Sequence, residues 1–255
     1  KPAWGGWSWE EITMVRIRRY CDLYVPAAFS SASDFWCVAV IGSVAAQLGE
    51  TEVAVFNTGY RVMWIVLILV NAMATAAGIK TTTRLGKSDE IGAQQASEMG
   101  IALSAGVLLI VGSLAAWKTR LLARLFTNEE EFLDKFEEAR LPFCVTLALM
   151  NLSVALEKVP FSMGRTKEVF WSGFIGSWAG QVPFSILLTK VWRRDLVGLY
   201  TGMAIGYLML SILYGWMCYK RYVVAHVITA WGTNTVSFSD WKEYSRIARE
   251  RSEKS

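Results

Sequence analysis

Histidine is almost absent from this chain of 255 residues, which has only His226. Because His226 follows the last long apolar run, the sequence offers neither a histidine-based catalytic triad nor a metal site with several histidine ligands. The four Cys residues are scattered without a C-x-x-C pair, and no P-loop or G-x-G-x-x-G motif occurs. We therefore expect a protein that is not an enzyme and that binds no metal or organic cofactor.

Charged residues are also scarce. They make up 19% of the chain, against about 25% in typical soluble domains, while 53% of the residues are hydrophobic. This composition excludes a disordered chain, and four Cys in 255 residues exclude a disulfide-stabilised miniprotein. A net charge of +4 needs no nucleic acid to explain it, because basic loops beside a membrane account for it.

Long apolar runs are what the sequence does contain. A transmembrane helix needs about 20 apolar residues with few charges, and six runs in succession approach this length: residues 23–49, 53–79, 101–117, 141–156, 169–189 and 196–219. The two shortest runs would also suit buried helices of a soluble protein, but six together favour a membrane. We predict an all-α protein in a lipid bilayer, with a connector (1–21), a lobe of six transmembrane helices (22–220) and a basic tail (221–255).

The distribution of Lys and Arg predicts the orientation. With six spans both termini lie on one side, and about two thirds of the 26 Lys and Arg residues fall there, so the termini are expected in the cytoplasm. The plasma membrane or a vacuolar membrane is the expected location. The longest loop, residues 118–140, carries Phe132 and Phe136 at helical spacing and predicts a short amphipathic helix on the outer surface.

Asp34 is the sharpest polar feature within a predicted span. A carboxylate at bilayer depth costs about 2.5–3.5 kcal/mol on insertion scales, so Asp34 is expected to face the bundle interior and to bind a proton or an organic cation. Phe35 and Trp36 would add cation–π contacts. The alternative is that Asp34 is a buried ion-pair partner of Arg61, which itself either snorkels to the surface or faces inward.

Uncharged polar residues within the spans are further candidates for the binding site. Asn57, Asn71 and Asn151 lie at span depth, where interhelical hydrogen bonding is their default role. Glu157 and Lys158 are expected to form a pair at the membrane interface rather than a transport site.

Several short motifs, in order along the chain, resemble the C-terminal half of a multidrug and toxic compound extrusion (MATE) transporter. They are Trp4-Gly5-Gly6-Trp7-Ser8, Val25-Pro26, Asp34-Phe35-Trp36, Thr83-Arg84-Leu85-Gly86, Met163-Gly164-Arg165-Thr166-Lys167, Gly180-Gln181-Val182-Pro183 and Gly198-Leu199-Tyr200. The first resembles the cytoplasmic connector between the two lobes of that family. The resemblance implies that the chain, which begins with Lys1, is one half of a longer transporter.

The resemblance also implies a function. Members of the family export organic cations and other xenobiotics in exchange for H⁺ or Na⁺, and a cavity between two six-helix lobes holds the small-molecule substrate. Asp34 stands where many members have a glutamate, and Trp36 matches an aromatic residue beside it. The expected partner is an N-terminal lobe of the same full-length chain or a second copy.

The sequence departs from the family pattern at three positions where animal members carry acids. This chain has Ala39, Arg61 and, in the tenth-helix position, Met150 or Asn151. The loss of acids puts cation selectivity in question, and Arg61 would suit anionic substrates. The alternative function is therefore a degenerate, non-transporting membrane lobe that acts as an interaction or regulatory subunit.

Overall fold

The structure is a computed structural model that describes residues 13–87 and 89–230, and every regular element within these ranges is helical. The elements are α1 (Met14–Ala46), α2 (Glu50–Gly86), α3 (Glu90–Trp117), α4 (Thr119–Arg124), α5 (Glu130–Glu138), α6 (Arg140–Ser162), α7 (Thr166–Ile175), a first π-helical segment π1 (Gly176–Gln181), α8 (Val182–Leu187), a second π-helical segment π2 (Leu188–Trp192) and α9 (Leu196–Ala230).

The chain divides into two units, residues 1–215 and 216–255. Within the first unit α2, α3 and α6 pack against one another, and α1 packs along α7 and α2. The largest fully buried side chains share this interior: Ile41, Phe56, Met63, Leu133, Phe136, Phe143, Leu147, Leu199, Tyr200 and Met203. In the second unit the structure describes residues 216–230, which are the end of α9.

Four helices of the described residues are long and apolar enough to cross a membrane: α2, residues 91–117 of α3, α6 and residues 196–219 of α9. The all-α membrane fold predicted from the sequence is thereby confirmed. The other two predicted spans, 23–49 and 169–189, fall on α1 and on the α7–π2 segment, where only Ala32–Ala46 forms a shorter apolar helix by the same criterion. Six spans remain a prediction.

Two of the sequence motifs form turns between helices. Arg84 at the end of α2 binds the Asp89 carboxylate at 2.6 Å, and Asp89 also accepts a hydrogen bond of 2.9 Å from the Gly92 N–H. Asp89 is therefore the N-cap of α3 and satisfies one of its free N–H groups. Gly164, between α6 and α7, has a φ of +78°, a left-handed conformation that side chains with a Cβ avoid.

The predicted amphipathic helix in the long loop is confirmed as α5. Its Phe132, Leu133 and Phe136 side chains are buried. The helical spacing of Phe132 and Phe136 therefore correctly indicated which face of α5 packs against the protein. The polar face of α5 carries charged residues that form ion pairs with neighbouring elements. Lys135 forms an ion pair with Glu52 at the start of α2.

Two arginines extend this contact of α5 by further ion pairs. Arg120 of α4 binds Glu130, Asp134 and Glu137, all of α5, and Arg193 after π2 binds Glu138 at 2.7 Å. The ends of α2, α4 and π2 are thus joined through one short helix.

The helix from Thr166 to Trp192 contains two π-helical stretches, so its winding changes three times. The segment π1 ends two residues before Pro183, whose missing N–H removes one hydrogen bond from the helical ladder. α9 crosses this region at Gly202 and Gly206, where an added Cβ would collide with the backbone of Ser185 and Gln181. Glycine at these positions therefore lets two helical backbones touch.

Some predictions concern residues at the chain ends. The helix α1 already begins at Met14, within the connector predicted for 1–21, and α9 continues to Ala230, beyond the boundary predicted at residue 220. The Trp4–Ser8 motif and the part of the tail after residue 230 lie outside the described residues.

Candidate functional site

Asp34 lies on α1 beside side chains that are almost completely buried. Ser33 is 5% exposed and Cys37 is 1% exposed, whereas the Asp34 side chain is exposed at the surface of the first unit. The Asp34 side chain is thus exposed, while its carboxylate interacts with groups on the neighbouring helices. The expectation that Asp34 faces the interior of the helix bundle stays a prediction.

Polar contacts join α1 to π1 around this carboxylate. The Trp178 indole donates a hydrogen bond of 2.7 Å to the Ser33 hydroxyl, and the Ser177 side chain interacts with the Asp34 carboxylate. One turn further along, the Cys37 thiol contacts the Gln181 Oε1 at 3.5 Å and the Ser177 carbonyl oxygen at 3.8 Å. The π-helical segment π1 therefore supplies one polar partner of Asp34, Ser177, and π-helical turns are often found at functional sites.

Polar groups of three other helices converge on Asp34. Its carboxylate interacts electrostatically with Glu157 of α6, with Tyr60 of α2, and with Tyr207 and Tyr214 of α9. Glu157 is half-buried and also interacts with Lys158 and Tyr214. Its position near a second acid differs from the simple interfacial pair expected from the sequence.

Arg61 and Asn57 lie one turn apart on α2, and both side chains are exposed. Within the described residues Arg61 forms no ion pair with Asp34, so the alternative of a buried Asp34–Arg61 pair is wrong. Both are close in sequence to Tyr60, which does interact with Asp34.

The remaining candidates lie in other environments. Asn71 is half-buried several turns further along α2, and Trp36 is 59% exposed. Because residues two apart on a helix do not share a face, Trp36 projects away from the side of α1 that carries Asp34. Asn151 is completely buried, and its amide donates to the Leu147 carbonyl of its own helix at 2.8 Å.

Sequence analysis missed most of the groups that the fold brings to Asp34. Ser177, Gln181 and the three tyrosines are common residue types within apolar runs, and nothing local distinguishes them. The one available signal was the Gly180–Pro183 motif, which contains Gln181.

Comparison with known proteins identifies the family. The family model MatE matches residues 26–187, from α1 to the end of α8. The chain is 23% identical over 203 residues to multidrug and toxin extrusion protein 2 of Oryctolagus cuniculus, covering 79% of this chain and 33% of that protein. It is 21% identical over 225 residues to protein DETOXIFICATION 24 of Arabidopsis thaliana, covering 85% of this chain and 45% of that protein. The chain thus spans less than half the length of these curated relatives.

Solved structures share the same fold. An outward-facing multidrug resistance transporter of the MATE family aligns with a TM-score of 0.76 and 19% identity, over 85% of this chain and 49% of that one. A mutant of the Vibrio cholerae MATE transporter VcmN gives a TM-score of 0.76 at 17% identity, over 86% of this chain and 50% of that one. With a family model matched over more than half of its residues and a fold that agrees, this all-α membrane chain belongs to the MatE family.

Proposed function

We propose that the chain forms one lobe of a secondary active antiporter that exports organic cations and related xenobiotics in exchange for H⁺ or Na⁺. The proposal rests on membership of the MatE family and on relatives that are named for multidrug and toxin extrusion. Transport then proceeds by rocking of this lobe against a partner lobe around a central site. The partner is an N-terminal lobe of the same chain or a second copy.

The observation that carries the proposal is the pair of acids, Asp34 on α1 and Glu157 on α6, that interact electrostatically. Two carboxylates that interact in this way repel each other when both are ionised. Binding of one positive charge removes this repulsion, so a proton, Na⁺ or an organic cation competes for the same place. Such competition is the requirement for exchange of a cargo cation against a coupling ion.

The surroundings of the acids support binding of an amphiphilic cation. Tyr60, Tyr207 and Tyr214 each interact electrostatically with Asp34, and the faces of aromatic rings attract organic cations. The exposed position of Asp34 leaves its carboxylate accessible from the surface that a second lobe would face. Asn57 and Arg61 are exposed on α2, close in sequence to Tyr60. In this proposal they lie at the edge of the surface that faces the second lobe.

The membrane arrangement follows from the distribution of charge. The lobe spans a plasma or vacuolar membrane, and its termini lie in the cytoplasm because most basic residues flank that side. The ion-paired helix α5 then lies on the outer side.

Efflux from proteoliposomes tests the proposal. Asp34→Asn is expected to abolish efflux of a fluorescent organic cation driven by a proton or Na⁺ gradient, and Glu157→Gln is expected to alter its dependence on pH. Matched controls are Asp134→Asn and Glu98→Gln, which change exposed acids on α5 and α3. If Asp34→Asn transports as well as the control variants do, Asp34 is not the coupling site.

The second candidate, a non-transporting lobe, is favoured by the absence of acids at Ala39 and Arg61, both exposed. The same assay separates the two functions. Efflux that depends on substrate and ion gradient excludes the regulatory subunit, whereas no efflux by the wild-type protein together with a stable complex with another transporter establishes it.

A further inference from the structure

A groove of about 270 Å³ lies between α1 and α7, outside the site around Asp34. Val25 and Phe29 of α1 line one side, and Lys167, Phe170 and Trp171 of α7 line the other. Val25, Phe29 and Trp171 are between 45% and 59% exposed, so the groove opens to the surroundings of the first unit. Its volume is slightly below the ~300 Å³ at which pockets for drug-sized ligands begin, which suits a slender chain.

The two helices that form the groove run in the same direction. Ser33 contacts Trp178 and Cys37 contacts Gln181, pairs whose positions differ by 145 and 144. The same offset places Val25 about level with position 169. Lys167 therefore lies at the end of the groove that is nearer the starts of both helices, and Phe170 and Trp171 follow about one turn later.

Hydropathy indicates the depth of the groove in a bilayer. Val25 stands eleven residues before the centre of the apolar run 23–49, or about 16 Å along a helix. Half of the hydrocarbon core is about 15 Å thick, so the Lys167 end lies at the depth of the lipid headgroups. The orientation proposed above makes this the cytoplasmic leaflet, which carries the anionic lipids of a cell membrane.

Lys167 is the one charged residue that lines the groove, and its side chain is exposed. Arg165 and Glu168, close to it in sequence, pair with each other at 2.7 Å. Within the part of the chain that the structure describes, Lys167 itself takes part in no ion pair. A positive charge at one end of an otherwise aliphatic and aromatic groove disfavours a cationic cargo and favours a molecule that joins an anion to a hydrocarbon chain.

We propose that this groove binds an anionic phospholipid, with an acyl chain against Phe29, Phe170 and Trp171 and the phosphate beside the Lys167 ammonium group. An acyl chain is surrounded by hydrocarbon wherever it lies in a bilayer, so the apolar walls alone select no particular lipid. The charge of Lys167 provides the selectivity, and one Lys near anionic headgroups corresponds to about a fivefold preference. The site requires a bilayer but no transport activity, so it goes beyond the function proposed above.

Quenching of Trp171 fluorescence by brominated lipids measures occupancy of the groove. The protein is placed in phosphatidylcholine vesicles that contain increasing fractions of brominated phosphatidylglycerol or of brominated phosphatidylcholine. The difference in fluorescence between each protein and its Trp171→Phe variant isolates this one residue among twelve Trp. Half-maximal quenching is expected at an about fivefold lower fraction of the anionic lipid. Lys167→Gln should remove this preference, and Lys167→Arg should retain it.

Control variants separate a local site from other effects of charge and from transport. Lys87→Gln changes an exposed Lys directly after α2, on the side proposed to be cytoplasmic, and should keep the preference. Val25→Phe narrows the groove and should weaken quenching by both lipids. Asp34→Asn should leave the lipid preference unchanged, so a failure of the proposed antiport does not imitate a failure of the lipid site.

Three results would overturn the proposal. Equal quenching of wild-type Trp171 by the two lipids, or a loss of preference in Lys87→Gln as large as in Lys167→Gln, would show that no local site selects the anionic lipid. The absence of quenching by either lipid would show that protein, a second lobe or a second copy, covers the groove. Loss of the preference in millimolar glycerol 3-phosphate would show that Lys167 binds a free phosphate group rather than a lipid.

Discussion

The contact between α9 and the start of α8 gives a sharp test of the packing, because it involves backbone atoms. A Cβ at Gly202 would lie 2.5 Å from the backbone N of Ser185 and 2.7 Å from the carbonyl carbon of Phe184, and real Cβ contacts essentially never fall below 3.0 Å. No side-chain rotation relieves this overlap. Gly202→Ala therefore forces the two helices apart, and overpacking of this kind costs about 1–3 kcal/mol.

The expected result is a lower melting temperature, by about 2–4 °C for each kcal/mol in a chain of this size. A thiol-reactive fluorophore reports unfolding, because Cys37 is buried and becomes reactive only when α1 separates from π1. The exposed Cys21 is first changed to Ser in all variants to remove its background signal.

Gly106→Ala is the matched control. Gly106 lies in α3, and nothing approaches within 4 Å of a Cβ built there. Alanine is favoured over glycine in a helix by about 1 kcal/mol, so this variant should melt higher than wild type. The reasoning is refuted if Gly202→Ala and Gly106→Ala shift the melting temperature in the same direction.

Three further predictions concern other contacts. Gly176→Ala should lower the melting temperature because its Cβ would lie 2.5 Å from the Leu210 Cγ, and adding Leu210→Ala should recover much of the loss; failure of this rescue would place the strain elsewhere. The hydrogen bond from the Gly92 N–H and the one from the Arg84 guanidinium lower the pKa of Asp89 below its ordinary value of 3.8. The contribution of Asp89 to stability is therefore complete above pH 3.8 and is lost as the pH falls through the lower folded-state pKa; Asp89→Asn should remove this acid dependence of the melting curve while retaining the cap. Reversal of charge in Glu52→Lys should destabilise the contact with α5, and Lys135→Glu in the same protein should restore it at low salt; a double variant no more stable than the single one would refute a direct ion pair.

Particular elements show how much the sequence revealed about the fold. The helix α5 was predictable because Phe132 and Phe136 are four positions apart, which places both side chains on one face of a helix. The spans α2, α3, α6 and α9 were predictable because an uncharged run of sufficient length has few alternatives to a membrane helix. The interruption at π1 was not predictable, because Pro183 by itself equally suits a kink or a helix start.

The candidate site was predicted less completely. Asp34 was identified by its charge, which is rare within an apolar run, but the groups that surround it were not predicted. Asn151 drew attention as an uncharged polar residue within an apolar run. Its amide nitrogen donates to the Leu147 carbonyl of its own helix, whereas its Oδ1 has no hydrogen-bond partner among the described residues. Glu157 was interpreted as interfacial because its neighbour Lys158 offers a local partner, whereas its interaction with Asp34 depends on how α6 packs.

The sequence by itself determined the class of this protein, an all-α membrane chain with one prominent carboxylate, because hydropathy and charge act locally along the chain. Only the tertiary structure decided which groups meet that carboxylate. Cys37 and Gln181 are separated by 144 positions and yet touch, and Ser177 reaches Asp34 only through the crossing of α1 and π1. Contacts of this range depend on the packing angles of helices, which no local pattern of residue types specifies.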